Sequence, residues 1–225
     1  MQDKKTVFGI CTVVIVFCII MAIVDGIIQA NYFVKSAIKL VLFLGFPILY
    51  SAFCRGIKIK HLFTFNEHGI KLAAGLCVGV YVVILGGYML FKNIFDFSAI
   101  SGELTDNIGV TGGNFVFVSL YISFVNSLLE EFFFRGFAFL GLKSVTSRRF
   151  AYIFSAGIFA LYHVAMMIGW FSFGVFSIVI AGLFAGGIIF NYLNEKSETI
   201  YPSWLVHMFA NFAINTVGFI LFGII

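Results

Sequence analysis

Two glutamates and an arginine lie inside the apolar run "SLLEEFFFRGF", residues 127–137. Burying such groups is costly unless they pair or take part in chemistry. Glu131 and Arg135 are four residues apart, so on a helix they share a face and are predicted to form an ion pair. Glu130 is turned away by about 100°. We therefore expect Glu130 to project into a site and to be available as a general base.

Two further polar clusters lie in other apolar segments, "FALYH" at residues 159–163 and "HMFAN" at residues 207–211. His207 and Asn211 are four residues apart and face the same way, and Phe159 lies one turn from His163, where we expect it to pack. Ionisable side chains inside a membrane are candidates for function because their burial is expensive.

The depths of these residues predict that they meet. At 1.5 Å per helical residue, Glu130 lies roughly 20 Å from the end of its segment at Lys143, and His163 lies roughly 22 Å from Arg148. His207 lies roughly 13 Å from Glu198. The three side chains therefore fall toward the middle of one bilayer and are predicted to share one site.

The composition indicates an integral membrane protein. The 225 residues are 61% hydrophobic and only 11% charged, whereas a soluble domain carries roughly 25% charged residues. The net charge of +4 is better explained by topology than by an acidic partner. Nothing in the sequence supports nucleic-acid binding, and the bilayer itself is the expected partner.

The predicted fold is all-α, a polytopic transmembrane helix bundle. Seven apolar stretches are long enough to cross a bilayer, and an eighth span results if the long fourth stretch divides near Gly136. The stretches are residues 6–30, 36–54, 71–92, 113–142, 149–168, 172–193 and 202–224. Residues 1–110 hold three spans with their loops, and residues 111–225 form the predicted catalytic core. Gly182 and Gly186 are predicted to let two helices approach closely.

The distribution of lysine and arginine predicts a cytoplasmic N-terminus. Only Lys35, Lys39 and Lys92 would lie outside, and Arg135 lies within the membrane. The inside residues would be Lys4, Lys5, Arg55, Lys58, Lys60, Lys71, Lys143, Arg148, Arg149 and Lys196. Asp25 is expected at the outer interface with water in reach. The predicted aromatic anchors at the interfaces are Trp170, Trp204 and Tyr201.

A glutamate base, two imidazoles and an amide suit hydrolysis by activated water. Glu130 would take a proton from water and His163 would orient the water, while His207 and Asn211 would stabilise the oxyanion. The same set could instead bind Zn²⁺ through Glu130, His163 and His207. The sequence leaves the metal-free and the metal-dependent mechanisms open.

The three clusters resemble the EExxxR, FxxxH and HxxxN motifs of the CAAX-protease and bacteriocin-processing membrane family, also called the Abi or CPBP family. The motifs occur in the family's order, and the resemblance extends from Asn114 to the end of the sequence. It implies a multi-helix intramembrane endopeptidase with Glu130, His163, His207 and Asn211 as catalytic residues. Glu131, Arg135 and Phe159 would support them.

The resemblance also implies a membrane-associated peptide or protein as substrate, either a CAAX-like protein or a bacterial pheromone or bacteriocin. The short chain and small loops favour a bacterial member in the cytoplasmic membrane. One alternative is a non-catalytic immunity or scaffold protein of the same fold. Another is a small proton-coupled carrier, since carriers also use intramembrane carboxylates and histidines.

Overall fold

The computed structural model describes residues 2–53, 59–64, 69–95, 97–168 and 171–225. In these residues the regular structure is helical, and seven helices are long and apolar enough to cross a membrane. The spanning helices are α1 (Lys4–Ile28, already helical from Gln2), α2 (Tyr32–Phe53), α4 (Ile70–Phe91), α6 (Phe115–Lys143), α7 (Arg148–Met166), α8 (Phe173–Ser197) and α9 (Tyr201–Leu221). Two shorter helices, α3 (Ile59–Leu62) and α5 (Ser98–Ile108), lie in the connections.

The seven-span prediction is confirmed, and the protein is a multi-pass membrane protein. The fourth span is one continuous helix through Gly136, so it does not divide into two spans. The start of the second span and the end of the sixth each differ from the predicted boundaries by four residues. Asn31 caps α2 by accepting a hydrogen bond from the Val34 amide at 3.0 Å, so α2 begins at Tyr32 rather than near residue 36.

The early start of α2 changes the position of two lysines. Both Lys35 and Lys39 lie inside the spanning helix, and Lys39 is buried. Lys35 forms an ion pair of 2.6 Å with Asp25, whose side chain is 2% exposed. The predictions that Asp25 has water in reach and that Lys39 is an outside residue are therefore wrong.

Helix α6 is the central element of the bundle. It contains two π-helical segments, Ile122–Asn126 and Glu131–Leu140. Residues from Glu131 to Phe139 are all buried, which means that this part of α6 is covered on every side. π-helical turns are rare and often occur at functional sites.

Aromatic packing joins α1, α2 and α7 to α6. The rings of Phe43 in α2 and Phe133 in α6 stack with centroids 4.0 Å apart. Phe43 also meets Phe134 edge to face at 5.5 Å, and Phe17 of α1 lies 6.3 Å from Phe133. Such pairs stabilise a core beyond their buried area, so the N-terminal helices are firmly held against the helix that carries the two glutamates.

Helices α7 and α8 are in close contact at Gly187. A β-carbon at this position would lie 3.0 Å from both Cα and Cβ of Ala156. At Gly182 and Gly186 a β-carbon would meet no atom of a neighbouring helix within 4 Å, as far as the described residues go. The close helix contact that was predicted at Gly182 and Gly186 therefore occurs at the adjacent Gly187.

Helices α4 and α8 form much of the lipid-facing surface. In the apolar stretch of 18 residues that characterises each helix, only 6% of α4 and 11% of α8 is buried. Exposed apolar side chains of α4 such as Val82 and Val83 suit hydrocarbon as their solvent. Trp204 differs from a simple interfacial anchor, because its Nε1 donates to Ser127 Oγ at 3.0 Å. Trp170 lies outside the described residues.

Candidate active site

Helix α6 positions three charged side chains in the middle of the bundle. Glu130, Glu131 and Arg135 are all buried, and Arg135 is 0% exposed. Arg135 Nη1 lies 3.2 Å from Glu131 Oε1, which confirms the predicted ion pair. The guanidinium carbon lies 3.9 Å from the ring centre of Phe159. Its positive charge is thus balanced by a carboxylate and an aromatic face.

Glu130 also has a cationic partner, which the sequence did not reveal. Lys39 Nζ from α2 lies 2.6 Å from Glu130 Oε1, and both side chains are almost fully buried. The lysine Nζ lies 4.9 Å from the ring centre of Tyr162 and 5.4 Å from that of Phe43. The sequence analysis assigned Glu130 no charged partner, and the structure places Lys39 there.

Asn126 completes the contacts of this carboxylate oxygen. Its Nδ2 donates to Glu130 Oε1 at 3.0 Å, and its Oδ1 accepts from Lys39 Nζ at 2.6 Å. Asn126 lies one turn before Glu130 on α6, so the helix itself holds the amide beside the carboxylate. Two donors therefore hold Oε1 and leave Oε2 as the free oxygen.

His163 approaches this second oxygen from α7. Its Nε2 lies 3.8 Å from Glu130 Oε2. Its Nδ1 lies 2.8 Å from the carbonyl oxygen of Phe159 one turn earlier, and the Phe159 ring contacts the imidazole edge to face at 4.7 Å. A carbonyl can only accept a hydrogen bond, so Nδ1 carries the proton. Phe159 packs against His163 as predicted.

His207 approaches the same oxygen from α9. Pro202 lies in the first turn of this helix, where a proline is favourable, and His207 follows on the next turn. Its Nε2 also lies 3.8 Å from Glu130 Oε2, and its Nδ1 lies 2.8 Å from Glu131 Oε1. Since Glu131 is ion-paired with Arg135, its carboxylate accepts and His207 Nδ1 donates. Glu131 therefore contacts both Arg135 and His207.

These hydrogen bonds define the chemistry at the centre of the site. Both Nδ1 atoms carry a proton, so in the neutral form of each ring an unprotonated Nε2 is turned toward Glu130 Oε2. Within the described part of the chain Oε2 accepts no hydrogen bond. The two Nε2 atoms and Glu130 Oε2 then form a group of three acceptors. A water molecule bound there can donate one hydrogen bond to the carboxylate oxygen and one to an imidazole nitrogen.

The distances between these residues differ from those of a preformed tetrahedral zinc site. Two carboxylates and two cations already balance in charge, with Lys39 on Glu130 and Arg135 on Glu131. Tetrahedral Zn²⁺ at about 2.0–2.1 Å from each ligand separates ligand atoms by roughly 3.4 Å. Both Nε2 to Oε2 distances are 3.8 Å. In the part of the chain that the structure describes, no group of three His, Cys, Asp or Glu side chains is arranged to hold a metal ion.

Asn211 lies one turn after His207 on α9 and is buried. Its Nδ2 donates to the carbonyl oxygen of Ile122, in the first π-helical segment of α6, at 3.2 Å. An asparagine amide carries two N–H bonds, so a second donor remains on the same nitrogen. The hydrogen bond to the Ile122 carbonyl oxygen therefore orients the Asn211 amide, and Ile122 itself is not one of the site residues around Glu130.

Lys39 and Asn126 are the residues of this site that the sequence analysis missed. The Asn126 side chain could have been found, because it lies four residues before Glu130 on one helix. Lys39 already lay inside the predicted stretch of residues 36–54, so it could have been treated as a polar residue within the membrane, but its contact with Glu130 of another helix has no local signal.

The fold and the site together define a multi-pass helical membrane protein with a buried glutamate and histidine centre. Residues 112–213 match the family model described as type II CAAX prenyl endopeptidase Rce1-like. The matched segment contains all three motifs, and it confirms the resemblance to the CAAX protease family over this part of the chain. The match supports an intramembrane protease. No curated protein and no solved structure matched the chain.

Proposed function

We propose that this protein is an intramembrane endopeptidase that hydrolyses a peptide bond with water activated by Glu130. The observation that carries the proposal is the position of Glu130 Oε2, which lies 3.8 Å from Nε2 of both His163 and His207. Oε1 is held by Lys39 and Asn126, so Oε2 is the oxygen available to accept a proton.

The reaction begins with a water molecule beside Oε2. One O–H points to Glu130 Oε2 and the other to Nε2 of His163, which orients the oxygen lone pair toward the substrate carbonyl carbon. As the C–O bond forms, the proton passes to Glu130 and the carbonyl oxygen becomes an oxyanion. The C–N bond then breaks, and Glu130 returns the proton to the leaving amine.

His207 and Asn211 are the proposed donors to the oxyanion. Asn211 has one N–H left after its bond to Ile122. His207 donates from Nε2 when it enters the reaction as the imidazolium, with a proton taken from solvent before the substrate binds, and the Glu131 carboxylate on Nδ1 stabilises that charge. Fixed donors of this kind act where charge develops in the transition state.

The proposed substrate is a membrane-associated peptide or protein, either a CAAX-like tail or a bacterial pheromone or bacteriocin precursor. The protein has seven apolar helices that can span a membrane, so its site suits a substrate chain that already lies in the bilayer. We further propose a bacterial cytoplasmic membrane with the N-terminus inside. The burial of Lys39 removes one lysine from the outer side and so supports this orientation.

The test uses purified protein and its Glu130→Gln variant with farnesylated CAAX peptides and double-glycine leader peptides in lipid vesicles. Glu195→Gln is the matched control, because Glu195 pairs with Arg148 at 2.7 Å and lies outside the proposed machinery. We expect cleavage by the wild type and by Glu195→Gln, and none by Glu130→Gln. Cleavage should also persist with a strong chelator.

Three results would contradict this proposal or its metal-free mechanism. Cleavage by Glu130→Gln at the wild-type rate would exclude Glu130 as the base. A cellular assay in which Glu130→Gln keeps full bacteriocin immunity would favour a non-catalytic immunity protein. Loss of cleavage with chelator, restored by Zn²⁺, would replace the metal-free mechanism with a metal-dependent one.

A further inference from the structure

We infer that Lys39 is a positioning residue for Glu130, and that α2 therefore supplies a necessary part of the active site. This inference deepens the proposed function and rests on it. Lys39 lies outside residues 112–213, the segment that matches the CAAX endopeptidase family. The catalytic centre of this protein thus extends into the N-terminal helices.

The first argument is the burial of the lysine. Lys39 is 5% exposed, although a lysine near the end of a spanning helix normally extends its ammonium group toward water. The side chain instead turns inward and reaches both Glu130 Oε1 and Asn126 Oδ1 at 2.6 Å. Burying an ammonium group is stabilising only when it is paired and hydrogen-bonded, and the two oxygens satisfy this condition.

The second argument is the choice of oxygen. A carboxylate on a flexible side chain can present either oxygen, and its rotation must be restrained before one of them acts as a base in a fixed geometry. Lys39 and Asn126 both contact Oε1. Only Oε2 then faces the two histidines. Lys39 thus orients the base without contacting the space between Oε2 and the two Nε2 atoms.

The third argument comes from a comparison within α2. Lys35 lies one turn before Lys39 and pairs with Asp25 of α1 at 2.6 Å. Both lysines form ion pairs of the same length between helices, but only Lys39 contacts the glutamate at the centre of the site. Lys35 therefore provides a matched control for the loss of a buried interhelical ion pair.

The experiment compares Lys39→Met, Lys39→Arg and Lys35→Met in vesicles, with a farnesylated CAAX peptide as the probe. We expect Lys39→Met to lower kcat about 100-fold, because a misoriented base costs rates of this order, with KM changed less than about three-fold. Lys39→Arg keeps the charge and should recover part of kcat. Lys35→Met should keep both constants. An unchanged kcat in Lys39→Met would overturn the inference while leaving the proposed protease intact.

A second measurement does not depend on cleavage. The midpoints of thermal unfolding are measured for the wild type, Lys39→Met, Glu130→Gln and the variant with both changes. These four proteins form a double-mutant cycle. Each single change leaves one buried charge unpaired and should lower the midpoint by roughly 10 °C. The double variant should lie closer to the wild type than either single variant. If no peptide is cleaved, the proposed function fails, and additive midpoints in this cycle would separately overturn the Lys39–Glu130 contact.

Discussion

Glu131 Oε1 lies 2.8 Å from Nδ1 of His207, and the same oxygen lies 3.2 Å from Arg135. The second glutamate of the EExxxR motif therefore has a partner beyond the arginine. It determines which nitrogen of His207 carries the proton, and so connects the ion pair on α6 to the imidazole on α9.

Glu131→Gln should disturb His207 even though the two side chains have nearly the same shape. A glutamine carries no negative charge beside Nδ1, so it does not stabilise the imidazolium form of His207 that donates to the oxyanion. We expect kcat to fall roughly 100-fold or more, as when a histidine-orienting carboxylate is lost in other hydrolases. The measurement is kcat per folded protein, with the folded fraction taken from gel filtration. A wild-type kcat in this variant would mean that Glu131 does not orient His207.

Arg135→Met should mainly affect stability. Removing the guanidinium leaves Glu131 buried with only His207 as a partner, and breaking a buried ion pair costs about 3–5 kcal/mol. The measurement is denaturant unfolding in detergent micelles. Arg148→Met is the control, because the Arg148 side chain is 62% exposed and its loss should change the unfolding midpoint little. Equal effects of the two changes would contradict the importance of the buried pair.

Two neighbouring glycines of α8 should respond oppositely to alanine. In Gly187→Ala the new Cβ would lie 3.0 Å from backbone and side-chain atoms of Ala156, so α7 and α8 must move apart at a cost of about 1–3 kcal/mol. In Gly186→Ala the new Cβ meets no described atom of a neighbouring helix within 4 Å. This change should be neutral or stabilising by about 0.5–1 kcal/mol. Thermal unfolding of the two variants tests the packing, and equal midpoints would disprove it.

Two asparagines one turn apart on α9 should separate catalysis from packing. Asn211→Ala removes a proposed oxyanion donor and should lower kcat by roughly 100- to 1000-fold. Asn215 donates to the Ser119 carbonyl oxygen at 3.1 Å and to Ser123 Oγ at 3.0 Å. Asn215→Ala should therefore lower stability by about 1–3 kcal/mol and leave kcat of the folded protein unchanged. Peptide cleavage and thermal unfolding of both variants test this separation. A similar kcat in the two variants would contradict it.

The sequence predicted most of the helical architecture because membrane insertion depends on local hydropathy. All seven spans were found, and the largest boundary errors, of four residues each, were at the start of α2 and the end of α8. The pair of Glu131 and Arg135 was also predictable, since both residues lie on one helix at a spacing of four. The contact of Phe159 with His163 follows from the same periodicity.

The close contact of α7 with α8 was harder to predict. The sequence offers several small residues on α8, and only the rotation of that helix against Ala156 selects Gly187. Spacing within one helix cannot supply that rotation, because it depends on the side chains of both helices and of their neighbours.

The sequence by itself determined the number of spanning helices, the polar residues that enter the membrane and the pairs within one helix. These features follow from the cost of burying charge and from the 3.6-residue period of a helix. Only the tertiary structure decided that Lys39 pairs with Glu130, 91 residues away, and that His163 and His207 meet at the same carboxylate oxygen. The physical reason is that contacts between helices depend on how each helix is rotated and packed, which no local pattern specifies.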